Sequence, residues 1–317
     1  MANRSLKQEN KYLNKLKNLI DFSKLSDEQT DRVFDELLII HETRSSKLVY
    51  IGHCVANELR RKGQPFAVRG TLADLYLFYL LGITKVSPYD ERLKYVLPYQ
   101  VAIGNHSDPK IIREICFNVP TSVRDDVIGF VRNGFKDDTD IYEYGHVDEN
   151  DNYVGSSLVL FEKKDDPYHH GFTKYFAQPG LYKSNLPYVT IIGFDPEPIK
   201  PNSDSYWNSC LIFNEEVDVR NNKGYKPKII KCREDYWKLV EKTDFSGSYK
   251  LWLFNMLWKG NINQLDKSDI AELMIITGDK WEDTLEDLNH IDYMFPISHA
   301  IEYYEYRNSK VQQFTDV

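Results

Sequence analysis

Residues 63–88 read Gly63-Gln-Pro-Phe-Ala-Val-Arg-Gly-Thr-Leu-Ala-Asp-Leu-Tyr-Leu-Phe-Tyr-Leu-Leu-Gly-Ile-Thr-Lys-Val-Ser-Pro88. Pro65 to Val68 is short and apolar, fit for a strand, and Gly70 breaks it. Leu72 to Leu81 is almost uninterruptedly apolar and reads as a buried helix that Gly82 ends. The local order is therefore strand, tight glycine turn, helix. Gly70 allows a close approach of backbone to a ligand. The N–H groups that open the helix and the Thr71 hydroxyl face that space, a ready anion site. Arg69 adds a charge suited to phosphate. The same residues also fit an ordinary strand–turn–helix without a ligand.

Helices are expected upstream. Leu6, Tyr12, Leu13, Leu16, Leu19 and Ile20 recur at helical spacing. Ser26-Asp27-Glu28 is a helix start, followed by the apolar face of Val33, Leu37, Leu38 and Ile40. A third helix runs from about Ser46 to Lys62 and stops at Gly63. Downstream, the end of 109–119 alternates. Ile115, Phe117 and Val119 fall on one side, Glu114, Cys116 and Asn118 on the other, which is the period of a strand. Thr121 or Ser122 then caps a helix striped by Val123, Val127, Ile128 and Val131, with Gly134 as its stop.

Residues 137–234 change character. Turn clusters such as Asp148-Glu-Asn-Asp-Asn152 alternate with the β-rich runs Ser157–Phe161, Tyr188–Phe194, Cys210–Phe213 and Lys228–Lys231. Helical patterns return from Glu234, with Tyr249–Trp258, Lys267–Ile276 and Trp281 to about Gln313. The expected organisation is 1–136 (helices and a core), 137–234 (a β-rich segment or insertion) and 235–317 (a helical segment). One α+β body and separable domains fit this pattern equally.

Charge narrows the partners. The chain of 317 residues has a net charge of −8. Residues 1–70 carry 13 basic and 9 acidic side chains, while the remainder is at −12. A general nucleic-acid binder usually shows a strong basic surplus, which this chain lacks overall. Cys54, Cys116, Cys210 and Cys232 form no CxxC pair, so zinc-ribbon and redox motifs are absent. Reduced thiols, no apolar run long enough for a span and no secretory signal core point to a cytoplasmic protein without a membrane partner.

The segment 46–131 resembles the palm of bacterial replicative DNA polymerase III alpha subunits, the C family in its DnaE and PolC types. In that family an amphipathic helix precedes a strand and turn ending Arg-Gly-Ser. An apolar helix follows and exits as Leu-Gly-Ile-Thr-x-[Ile/Val]-x-Pro. Arg69-Gly70-Thr71 matches the turn, with Thr71 in place of Ser. Tyr79-Leu-Leu-Gly-Ile-Thr84, Val86 and Pro88 match the exit, and Tyr50 to Lys62 the preceding helix. The resemblance covers a quarter to a third of the chain. It implies an α+β, nucleotidyltransferase-like (polymerase beta-like) palm with N-terminal helices, a β-rich middle and C-terminal helices. It also implies that Arg69, Gly70 and Thr71 grip a nucleotide's triphosphate.

The family's second signature pairs a strand, Pro-Asp-x-Asp-x-[Asp/Asn]-Phe, with a helix that appears here as Arg124-Asp-Asp-Val-Ile-Gly-Phe-Val131. Counting back sets the strand on Glu114-Ile-Cys-Phe-Asn-Val119, give or take a residue or two because of Pro120. Glu114 then replaces the first Asp, Cys116 the second, and Asn118 matches the PolC form. Phosphoryl transfer by two metals needs carboxylates bridging ions about 4 Å apart. Cysteine is a poor ligand for Mg²⁺. Glu114 and Asn118 are the metal ligands the resemblance implies if the protein is active, with Mg²⁺ as cofactor. Asp195, in Ile192-Gly-Phe-Asp195, is a loose candidate for the third carboxylate, and Glu216 and Asp218 are others.

Three functions follow as expectations. The first is a divergent palm that has lost its metal carboxylates and binds nucleotide triphosphate, a nucleic-acid end or a replication partner. A phage or mobile-element origin suits such a protein. The second is an active minimal nucleotidyltransferase using Glu114 with acids such as Asp195. The third is an acidic adaptor or inhibitor of replication or defence machinery. Other candidates read more plainly. His169-His170 fits a loop pair. Asp137, Asp138 and Asp140 fit a solvated loop. Tyr249, Trp252, Phe254 and Trp258 fit a core stripe, and Tyr303, Tyr304 and Tyr306 fit partial burial.

Overall fold

Ser26 opens the second helix as its spacing suggests. Its hydroxyl accepts the Gln29 N–H, and the Gln29 side chain accepts the Ser26 N–H in return, a reciprocal capping box. The computed structural model describes residues 2–69, 71–91, 93, 95–112, 114–135, 140–147, 153–160, 188–193, 227–258, 261–290, 297–298, 301–302 and 305–306.

The chain begins with α1 (Ala2–Asn18), α2 (Asp27–Glu42) and α3 (Ser46–Arg61). Strand β1 (Ala67–Arg69) follows, then a 3₁₀ turn (Thr71–Asp74) and the short α4 (Tyr76–Leu80). A one-turn α5 (Gln100–Ile103) leads into a small hairpin, β2 (Gly104–Asn105) and β3 (Asp108–Pro109). Next come β4 (Glu114–Val119), α6 (Arg124–Gly134), β5 (Asp140–Val147), β6 (Tyr153–Leu160) and β7 (Tyr188–Gly193). The last helices are α7 (Arg233–Glu241), α8 (Gly247–Trp258), α9 (Lys267–Thr277) and α10 (Trp281–His290).

The architecture is mixed α+β. Five strands make one mixed sheet in the order β1-β4-β7-β6-β5. Only β4 and β7 run parallel; the other neighbours are antiparallel. One face of the sheet carries Val68, Ile115, Phe117, Val119, Val189 and Ile191, all buried against α3 and α6. Gly52 permits this: a methyl there would come within 2.9 Å of the Ile115 side chain. A second core gathers Tyr236, Val240, Leu253, Phe254, Leu257, Leu273 and Leu288 from the four C-terminal helices. The aromatic run of α8 is largely core, as its spacing suggests. Phe254 is fully buried, Trp258 nearly so, and only Trp252 is exposed.

Four local expectations are corrected. Residues 72–81 do not form one helix. Leu75 is extended and separates the 3₁₀ turn from α4. The cause is Glu36 on α2, whose carboxylate accepts the Tyr76 and Leu77 N–H groups and so caps α4 from a distant helix. Thr121 and Ser122 are not the cap of α6. They lie in a 3₁₀ turn, the cap position is Val123, and Gly134 is the helix's last residue. Lys228–Lys231 is no strand. The Asp287 carboxylate takes the N–H groups of Lys228, Ile229 and Ile230, which bends that segment around one side chain. Asp140 begins β5, paired with Leu160, rather than lying in a loop. The runs at 148–152 and 210–213 lie outside the described residues, as do Asp137, Asp138, His169, His170, Tyr303 and Tyr304; Tyr306 is buried. The helix from Trp281 extends to His290, and the residues immediately beyond it are not described.

Candidate functional site

The sheet register decides what meets what. β1 lies antiparallel to β4, with Ala67 opposite Asn118, Val68 opposite Phe117 and Arg69 opposite Cys116. β7 lies parallel on the other side of β4, with Tyr188 opposite Glu114, Thr190 opposite Cys116 and Ile192 opposite Asn118. Opposed residues share a face of a sheet. The face away from the helices therefore combines Glu114, Cys116, Asn118 and Thr190 with the register positions of Ala67 and Arg69. Because β1 runs antiparallel, the chain leaves Arg69 at the Glu114 end of β4, where the turn through residues 70 and 71 begins. Gly70 itself lies outside the described residues.

The polar face is specific in its chemistry. Thr190, 5 % exposed, donates its hydroxyl to the Glu114 carboxylate at 2.6 Å. Asn118 is 4 % exposed, and its Oδ1 has no hydrogen-bond partner among the described residues. Cys116, half-buried, lies between them. Mg²⁺ is the ion that the resemblance to a polymerase palm implies. This donor set does not fit a pair of such ions. It offers one carboxylate already engaged by a hydroxyl, one amide oxygen and a thiol, whereas Mg²⁺ demands hard oxygen ligands in near-octahedral order. Among the described residues no group of three His, Cys, Asp or Glu side chains converges as a metal centre would require. Asp195 lies outside the described residues, two positions past the end of β7. At the level of Cys116 the neighbouring strand presents Thr190.

The segment after β1 is pinned from several directions. The Val68 N–H on the outer edge of β1 is donated to Glu302 at 3.1 Å, and the Lys85 N–H reaches the same carboxylate. Burial pushes Glu302 up to about 7. The Asp74 carbonyl accepts from Arg32 at 2.8 Å, and its carboxylate accepts the Ser298 hydroxyl at 2.5 Å. Glu36 holds the first amides of α4 while pairing with the buried Arg32 at 2.9 Å. Burial raises the Glu36 carboxyl, against the pull of Arg32 and the two amides. The residues at the N-terminal end of this turn thus sit on an edge that the fold braces from α2 and from the C-terminal segment. Cations flank its start: Lys85 Nζ lies 4.9 Å and the Arg60 guanidinium 5.9 Å from the Phe66 ring centre.

The resemblance to a polymerase palm brought Arg69 and the β4 face together. Sequence reasoning missed Glu36, Arg32, Asp74, Glu302 and Thr190. Only Arg32 and Glu36 carry a local signal, an i,i+4 pair inside an apolar helix. The other contacts join residues far apart in the chain.

A second concavity of about 300 Å³ lies on the helical side, lined by Leu19, Tyr50, His53, Cys54, Asn57 and Phe130 among others. Its polar groups are mutually satisfied. His53 Nδ1 meets the Leu81 carbonyl at 2.7 Å, which leaves Nε2 to accept from Asn57 at 2.8 Å. Burial raises the Cys54 thiol, so it is no poised nucleophile. No helix among the described residues is long and apolar enough to cross a membrane. No protein-family model and no curated protein matches the chain.

Proposed function

We propose that this chain is a divergent, nucleotidyltransferase-type palm of the C-family polymerase kind, which binds the phosphates of a nucleotide or of a nucleic-acid end and does not extend DNA. Arg69, Gly70 and Thr71 form the phosphate turn in this reading. The observation that carries it is the strand register: Arg69 stands opposite Cys116, so β1 ends beside the Glu114–Asn118 strand that the resemblance pairs with its turn. The donor set on that strand supports binding over metal-assisted transfer. Glu114 is the single carboxylate that β1, β4 and β7 contribute to this face, and Thr190 already engages it. The acidic balance beyond residue 70 argues against a grip on long duplex. The free Cys54 and Cys232 support a reducing, cytoplasmic setting.

Titration of labelled nucleoside triphosphates, with and without Mg²⁺, tests this reading. Saturable binding is expected, weakened about tenfold or more in Arg69→Ala, because a charge-assisted contact to phosphate contributes about 1.5–3 kcal/mol. Glu114→Gln is expected to leave binding within a few-fold and to reveal no lost incorporation. Primer extension that Glu114→Gln abolishes would instead identify an active transferase. Capture of a replication or defence protein by a chain with no nucleotide affinity would identify an adaptor.

A further inference from the structure

Five ionisable side chains meet where the turn after β1 touches the C-terminal segment. Arg32 and Glu36 come from α2, Asp74 from the 3₁₀ turn, and Arg233 and Glu234 from the start of α7. Arg32 is nearly buried, and the other four are 5 % exposed or less. The set is bound together across the chain. Arg32 pairs with Glu36 and donates to the Asp74 carbonyl. Asp74 Oδ1 accepts from Ser298, and Glu234 Oε1 accepts the Ile297 N–H at 2.9 Å. Both guanidiniums act electrostatically on Asp74, and both Arg233 and Asp74 act on Glu234. Further polar neighbours are Tyr76, Tyr89 and Tyr99 beside Arg32 and Glu36, and the Cys232 thiol beside Glu234, with half-buried Asp235 next to Cys232. The Arg233 guanidinium also lies 4.1 Å from the Trp258 ring centre.

Two observations then converge. Two cations face three carboxyl groups, so with all five ionised this buried set of described residues carries one excess negative charge. A buried charge without a partner is costly, and a carboxyl in that position takes up a proton instead. The second carboxylate oxygens, Asp74 Oδ2 and Glu234 Oε2, are the two carboxylate oxygens in the described part of the molecule that are buried without a hydrogen-bond partner. One bound proton removes both defects, since it neutralises the set and supplies a donor. We propose that Asp74 and Glu234 share one proton near neutral pH, and that this proton latches the C-terminal helices to the turn that follows β1. Burial raises both carboxyls, and the charge of Asp74 raises Glu234 further, in keeping with the latch.

The sign of the pH dependence follows. The native set holds a proton that the unfolded chain, with ordinary carboxyls near 4, has released. Stability is therefore greatest at low pH and is lost as pH rises towards the raised native value. Losing the latch proton above neutrality loosens the contact of Asp74 and Ser298 with α7. Glu302 also binds a proton in the native chain, so the wild-type profile alone does not report the latch. Glu234→Gln isolates it. Glutamine keeps the acceptor for the Ile297 N–H and mimics the protonated carboxyl at every pH.

Urea unfolding of the full chain between pH 5.5 and 9 is the test. The wild-type unfolding constant should rise more steeply with pH than that of Glu234→Gln, the difference approaching tenfold per pH unit for one proton. The variant should be the more stable of the two at pH 9. Asp74→Asn should flatten the profile in the same way, and it serves if Glu234→Gln does not fold. Amide protection at residues 71–77 and 233–236 should fall from pH 6 to pH 9 in the wild type and hold in the variant. Parallel stability profiles for wild type and variants, or protection in those segments that is independent of pH, would overturn the latch.

Discussion

Glu36→Ala is expected to lower the stability of the protein by about 3–5 kcal/mol, measured as the change in urea unfolding free energy. Glu36 is fully buried and serves two elements at once. One oxygen accepts from Arg32 and from the Tyr76 N–H at 3.1 Å, and the other accepts the Leu77 N–H at 2.7 Å. Alanine leaves the buried Arg32 guanidinium without its hydrogen-bonded carboxylate and two helix-opening amides without acceptors. The loss therefore comes from what is stranded, not from the strength of the pair itself. Replacing both partners together, as in Arg32→Met with Glu36→Leu, should cost clearly less than the two single changes added. A loss under about 1 kcal/mol in Glu36→Ala would contradict the capping role.

Phe117→Ala and Asn118→Ala should behave as opposites although they are adjacent. Phe117 is fully buried on the helix-facing side of β4, its ring 6.0 Å from that of Phe66. Alanine there leaves a cavity between the sheet and its helices and should cost about 3–5 kcal/mol. Asn118 points to the other face and buries an amide oxygen without a partner among the described residues. Its removal discards that defect, so the variant should be within about 1 kcal/mol of wild type. Any effect of Asn118→Ala should appear in ligand affinity. Equal destabilisation by both changes would mean that β4 does not divide a core face from a working face.

The residues whose roles were legible in the sequence are those whose partners lie close in the chain. Ser26 announces the start of α2 from the residues beside it, and Ile115, Phe117 and Val119 declare the buried face of β4 by alternation alone. The glycine stops were equally plain. Gly63 and Gly82 both take a left-handed φ of 62°, and a side chain on Gly82 would collide with Arg60. What failed to show was set by single polar side chains acting over long separations. Leu72–Leu81 is apolar enough for one helix, yet Glu36, some forty residues earlier, fixes the break. Lys228–Lys231 has strand-like residues, yet Asp287 gathers its amides. The site divides the same way. The resemblance aligned the Arg69 turn with Glu114, Cys116 and Asn118, and the register of β1 on β4 sets Arg69 opposite Cys116. Thr190, which engages Glu114, enters from a strand whose placement no local pattern reveals.

The central claim is that the turn after β1 and the polar face of β4 together receive phosphate. Backbone amide shifts recorded during titration of a nucleoside triphosphate test it most directly. The account predicts saturable shifts concentrated at residues 69–75 and 114–118, lost in Arg69→Ala while the rest of the spectrum is retained. Shifts confined to other parts of the chain, or the same shifts in Arg69→Ala, would contradict it.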